Sequence, residues 1–166
     1  MNKQSIFLKE CIADAYIQLL EENANQKISA QTIAKKAGVG RATYFRHFKT
    51  REDIIVFKLK SLWNDWAKEQ LKKSYKQVQY QDTLDFFEFN YTIRDLHKII
   101  YNANMQHAIY AMLYDVMIGI DTDNHLDCYM NRFYSYGLFG ILDEWIQSEY
   151  KETPSELAKF VEDHIL

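Results

Sequence analysis

The side chains with most chemistry to offer are the cations Arg41, Arg46, Lys49 and Arg51, interleaved with Ala42, Thr43, Tyr44, Phe45 and His47 in the run RATYFRHFKTR. Cations spaced along a short helix neutralise phosphates, and an arginine fork matches the O6/N7 edge of guanine, so the pattern points to nucleic-acid binding. A second set, Asp121, Asp123, His125 and Cys128, holds metal-ligand atoms. No further cluster at fixed spacing supports it, and acids at a helix start are ordinary caps, so neither a metal nor a cofactor is expected. The chain has no Ser/His/Asp order, no Gly-rich phosphate loop and no H-E-x-x-H pattern, and its five histidines are scattered. An enzyme would need such residues, and none is expected. Cys11 and Cys128 lie inside helical patterns without paired spacing, which suits buried thiols better than a disulfide or zinc site.

The elements that must position the cations lie in residues 27 to 53. Ser29 can cap a helix through its hydroxyl, with Ile28 and Ile33 stapling the turn; Thr32 stands where a complete capping box would have Glu or Gln. Gly38 suits the left-handed residue that ends this short helix near Ala37, Ala34 one turn earlier is small enough for close contact, and Val39 plugs the corner. A second short helix, about 41 to 48, exposes Arg41, Thr43 and Arg46, and a third starts at Thr50-Arg51-Glu52-Asp53. This is a helix-turn-helix reading; the blander reading, a helical hairpin inside a bundle, leaves the A-x-x-x-G-V spacing and the basic, aromatic second helix unexplained.

The run TIAKKAGVGRATYFRHFKTRED resembles the DNA-binding domain of the tetracycline-repressor (TetR) family, and the likeness covers about the first 60 residues. In that family a Thr, an aromatic pair, a His and a Phe end the recognition helix and a basic residue opens the next. The resemblance implies a three-helix DNA-binding lobe, base contacts from Arg41, Thr43 and Ala42, and phosphate contacts from Thr32, Tyr44, Arg46, His47, Lys49 and Arg51. It also implies a homodimer on a palindromic operator, repression relieved by a small molecule and a bacterial source. Some relatives work instead as co-activators through a protein partner. Two departures stand out: the family usually has Tyr where Phe45 stands, its hydroxyl on a phosphate, and Lys where Arg51 stands.

Composition agrees with an all-α chain. One proline and five glycines leave little material for turns, which favours long helices over many strands. The net charge of −3 hides a split: residues 1 to 60 carry eleven basic against six acidic residues, +5, and residues 61 to 166 nine against seventeen, −8. A basic lobe that neutralises phosphates and an acidic lobe with another task are expected. We place the DNA-binding domain at 1–50 and a ligand-sensing and dimerisation domain at 51–166, about nine helices in all. No run approaches a membrane span and the first residues do not read as a signal peptide, so a cytoplasmic protein without membrane contact is expected.

Along the chain, Leu8, Ile12, Ala15, Tyr16 and Leu19 predict a helix over 3–22 that packs under the helix-turn-helix. A helix from about 50 to 75, bearing Ile55, Leu59, Leu62, Trp63 and Trp66, connects the lobes and is the expected lever of regulation. Further helices are predicted over 82–93, from a break at Arg94-Asp95 to about Tyr101, and over 105–118. Their aromatics fit a core; they also fit a ligand cavity bordered by Trp63, Trp66, Phe87, Asn90, Tyr91, His97, Tyr101 and Met117. A helix over 124–149 carries Gly137 and Gly140, each costing about 1 kcal/mol relative to Ala, which suggests close backbone contact. T-P-S-E at 153–156 is a complete helix start. This ending is similar to the last two helices of many tetracycline-repressor-like proteins, which implies a four-helix dimer interface through Phe133, Gly137, Gly140, Ile141, Trp145, Leu157, Phe160 and Val161; an intramolecular hairpin is the alternative.

Overall fold

A computed structural model describes residues 3–23, 27–71, 83–118 and 125–164, and all regular structure among them is helical. The elements are α1 (Lys3–Glu22), α2 (Ala30–Lys36), α3 (Arg41–His47), α4 (Arg51–Trp66), α5 (Thr83–Thr92), α6 (Arg94–Asn102), α7 (His107–Ile118), α8 (His125–Gln147) and α9 (Pro154–His164). The all-α expectation holds. A π-helical turn, Ala67–Leu71, continues α4, which the sequence reading had as plain α-helix. The remainder of the helix expected to reach residue 75, the loop after Gly119 with Asp121 and Asp123, and Ile165 lie outside the described residues.

Local chemistry explains the helix ends. The Ser29 hydroxyl accepts the Thr32 N–H at 3.1 Å, and Ile28 and Ile33 are both buried in the main core. At the other end of α2, the Val39 N–H reaches the Ala34 carbonyl at 2.9 Å and the Gly38 N–H reaches Lys35 at 3.2 Å, with Gly38 at φ 68°. This paired closure turns the chain sharply into α3. A reciprocal capping box starts α4: the Asp53 N–H donates to the Thr50 hydroxyl at 3.0 Å, and Asp53 Oδ2 accepts the Thr50 N–H at 2.9 Å.

The break between α5 and α6 falls at Ile93, φ −103° and ψ 19°, one residue before the place the sequence reading gave it. The Thr92 hydroxyl donates to the carbonyl of Phe89, one of the last-turn acceptors of α5 that lack an intrahelical partner, and the Asn90 side chain donates to the Phe86 carbonyl one turn earlier. The expected T-P-S-E start is present, with the Thr153 N–H and hydroxyl both donating to Glu156 Oε2, at 2.8 and 2.7 Å.

One large core joins all this. Ile12, Tyr16, Ile33, Tyr44, Phe48, Ile54, Ile55 and Leu59 are buried in the same apolar cluster as Phe87, Ile100, Ile109, Leu142 and Trp145. Burial of apolar side chains at about 25 cal/mol per Å² is what holds the short α2 and α3, too short to be stable alone, on their support. Ion pairs add orientation on either side of α4: Lys58 meets Asp14 of α1 at 2.6 Å, and Lys60 meets Asp115 of α7. No described helix is long and apolar enough to cross a membrane.

Candidate nucleic-acid interface

Helix α3 divides into two faces because residues four apart fall on one side of a helix. Tyr44 and Phe48 point inward, 2 % and 3 % exposed, while Arg41, Ala42, Phe45 and Arg46 stand outward and Thr43 and His47 lie half-buried between. The expectation of a phosphate contact from Tyr44 is therefore corrected: its ring is part of the core. Burial raises the pKa of its hydroxyl, with Arg51 partly opposing, so the phenol stays neutral. Arg51 itself is half-buried, and its charge lowers the pKa values of Tyr44 and Tyr16 against the effect of their burial.

Arg41, Arg46 and Lys49 are all exposed. Arg41 opens α3 after an N-cap, Gly40, that makes no side-chain cap, and its Cζ lies 5.4 Å from the centre of the Phe45 ring. Lys49 is exposed at the α3–α4 turn. Its backbone N–H and that of Thr50 both donate to Asp53 Oδ2, so the group this turn offers outward is the Lys49 ammonium. Partial burial would raise the Asp53 pKa, but these bonds outweigh it and hold the carboxylate below its ordinary range. Thr32 sits exposed at the start of α2 with its hydroxyl 2.8 Å from that of Ser29.

His47 faces a groove of about 650 Å³ between the α3–α4 corner and α7, shared with Lys9, Glu52, Lys60, His107 and Asp115. Its partial burial, then the nearby Lys9 and Arg46 charges, hold its pKa below the usual histidine range, and its Nε2 has no partner among the described residues. Lys9, which the sequence reading did not single out, sits over the Phe48 and Phe57 rings at 5.8 and 5.4 Å. Only the folded chain reveals it, because α1 is about forty residues away in sequence.

Among the described residues, those expected around a ligand cavity fall in more than one aromatic cluster. Trp63 stacks on Trp66 at 5.4 Å and meets Phe89 edge-on at 4.8 Å, forming a small cluster of its own. Phe87, Tyr91 and Tyr150 surround Trp145 instead. His97 is fully buried with Nδ1 2.7 Å from the Tyr150 hydroxyl. Tyr101 donates to Asp143, and Asn90 is buried with Oδ1 unpartnered among the described residues. Tyr91 is 40 % exposed. Met117 lies on α7, its side chain outside the described residues.

The surface expected to pair with a second copy is partly open. Phe133 and Phe160 are 66 % and 50 % exposed, and Leu126, Tyr129, Met130 and Tyr136 continue an apolar stripe along α8. Between α8 and α9 runs a groove of about 670 Å³ lined by Gly137, Gly140, Ile141, Leu157 and Phe160. The expected close backbone contact at the glycines is not met among the described residues: a Cβ at Gly137 or Gly140 would find nothing of them within 4 Å. Trp145 and Val161, expected outside, are 2 % and 1 % exposed and belong to the chain's own core, because they fall on the α8 and α9 faces that pack inward.

A family model described as "Bacterial regulatory proteins, tetR family" matches residues 12–56, from within α1 through α2 and α3 into α4. Another, described as "Transcriptional regulator C-terminal region", matches residues 77–165. An HTH-type transcriptional regulator of Staphylococcus aureus (strain bovine RF122 / ET3-1) is 30% identical over 77 residues, 45% of this chain and 42% of that relative. The match spans less than half of the relative's length.

Proposed function

Because the chain belongs to the tetracycline-repressor (TetR) family of bacterial transcriptional regulators, we propose that it is a dimeric, sequence-specific DNA-binding repressor that a small-molecule effector releases. It works in the cytoplasm on a palindromic operator. The observation that carries this reading is the outward face of α3, where Arg41, Ala42, Phe45 and Arg46 project from a root fixed by buried Tyr44 and Phe48. Arg41, Thr43 and Ala42 read base edges; Arg46, Lys49, His47 and Thr32 hold phosphates and set the register.

Residues 1–50 form the DNA-binding domain and residues 51–166 the sensing and dimerisation domain, joined through α4. Ion pairs from α4 to both α1 and α7, together with the 3.2 Å contact from His107 of α7 to Glu52 of α4, support a lever. An effector that binds one disposition of the regulatory helices better than another shifts the two α3 helices together, and operator affinity changes by the ratio of its affinities for the two states.

Selection of duplex from random sequence, followed by titration of the selected and a scrambled duplex over a range of salt, tests this. The selected duplex binds tighter at near-physiological salt, and both affinities fall steeply as salt rises because several phosphate counterions are released per subunit. Equal binding of the two removes the operator reading and favours a regulator that acts through a protein partner, a reading to which the missing hydroxyl at Phe45 lends support.

A further inference from the structure

We infer that Phe45 is a positioning residue for base readout, its ring holding the Arg41 guanidinium in the orientation that reads a base edge. The inference rests on the proposed role of Arg41 as a base reader. Phe45 is 49 % exposed on the outward face of α3, so it is not there to fill the core. Its ring lies edge-on to Tyr44, centroids 5.1 Å apart and planes at 86°, and Tyr44 is 2 % exposed and immobilised by packing. The anchored neighbour fixes the direction in which the Phe45 face looks. One helical turn away, Arg41 Cζ lies 5.4 Å from the centre of that face, and among the described residues no carboxylate competes for it.

The two uses of Arg41 do not conflict. A guanidinium is attracted to a ring through its charge and flat face and donates through its edge, so an arginine over a phenyl ring is free to present its fork to the O6/N7 pair of guanine. Holding the side chain beforehand removes part of the rotamer freedom that binding would otherwise take away, and this strengthens readout at one base. Phosphate attraction depends on charge and is left alone. A tyrosine hydroxyl at position 45 would instead add a phosphate contact that carries no sequence information; the phenyl ring gives up that contact and keeps the stacking face.

The test uses the full chain, the duplex recovered by selection, and its single-base variants. Arg41→Ala relaxes preference at one base position. Phe45→Ala relaxes it at the same position, roughly two- to fivefold, the size of an exposed cation–π contact, and the double variant relaxes it no further than Arg41→Ala. The slope of log affinity against log salt stays as in the parent. Phe45→Leu, which keeps apolar bulk but has no ring face, behaves as Phe45→Ala. Phe45→Tyr keeps the preference and binds every sequence more tightly alike. Preference intact in Phe45→Ala, equal weakening on all sequences, or a Phe45→Leu chain indistinguishable from the parent would each overturn the inference. If Arg41→Ala has a position-specific effect and Phe45→Ala has none, the positioning role alone falls; if Arg41→Ala has none, the base-reading role falls and takes this inference with it. Thermal unfolding near the parent's midpoint confirms that the half-exposed site can be changed without loss of the fold.

Discussion

His97 shows what a single buried titratable group contributes. Burial alone pushes its pKa down to about 4, whereas an unfolded histidine titrates near 6.5. Below that pH the unfolded chain binds a proton that the folded chain refuses, so stability is full above about pH 6.5 and declines as pH falls toward 4. The slope is about 1.4 kcal/mol per pH unit and the whole loss about 3 kcal/mol. Urea unfolding between pH 4.5 and 7 measures it. His97→Gln, which keeps a polar partner for the Tyr150 hydroxyl but does not titrate, should have a flatter pH dependence; parallel curves would show that other groups set the slope. A second prediction at this scale separates the cations of the interface. Arg41→Ala should cost roughly 1 to 3 kcal/mol and relax one base position, while Lys49→Ala should weaken all duplexes alike and lower the salt slope by about 1. Titration of both variants on selected and random duplexes decides between these roles.

Between elements, the turn from α2 to α3 is the critical joint. Gly38 at φ 68° is in the left-handed region, where a Cβ costs about 1–2 kcal/mol, although space for it is open. Gly38→Ala should therefore lower stability by that strain alone and tilt α3 on α2. Operator affinity should fall more than thermal stability does, and an unchanged affinity would mean that the joint does not set the angle of α3. The end of α8 uses the same device at higher cost. Glu149 and Tyr150 both have positive φ, 59° and 57°. They are held there by the Tyr150 N–H on the Trp145 carbonyl at 2.9 Å and by the Tyr150 hydroxyl on His97. That turn sets the direction in which α9 leaves α8 to pack on α5, and so shapes the groove between α8 and α9.

On the scale of the whole molecule, the open glycines make a clean test of pairing with a second copy. A palindrome is met by two α3 helices about 34 to 36 Å apart, or somewhat more if the site is spread, and a two-fold axis supplies them. A Cβ at Gly140 would meet no atom of the described residues within 4 Å, and replacing a glycine inside a helix by a better helix former favours the monomer's fold by up to about 1 kcal/mol. The same side chain fills the groove a partner helix would enter. Sedimentation at micromolar concentration should show the parent as a dimer and Gly140→Leu as a monomer with a normal melting profile and weak operator binding. A monomeric parent, or a Gly140→Leu dimer that binds DNA normally, would rule this interface out.

By itself the sequence determined what is local: the helices, the Ser29 and Thr50 caps, the Gly38 turn, the T-P-S-E start and the cationic face of α3. These depend on residues three to five apart, so hydrogen-bond geometry and backbone sterics decide them within a short window. Helical spacing also held the signal that Tyr44 and Phe48 share an inward face, four residues apart, although the family's aromatic pair drew attention to the hydroxyl instead. Only the tertiary structure decided which of two apolar sides each helix buries. Trp145 and Val161 went inward while Phe133 and Phe160 stayed out, the expected cavity residues split into separate aromatic clusters, and Lys9 reached the corner of α3 from far along the chain. An apolar stripe states that a face will be covered; which surface covers it depends on contacts between distant segments, where burial is gained without regard to sequence separation.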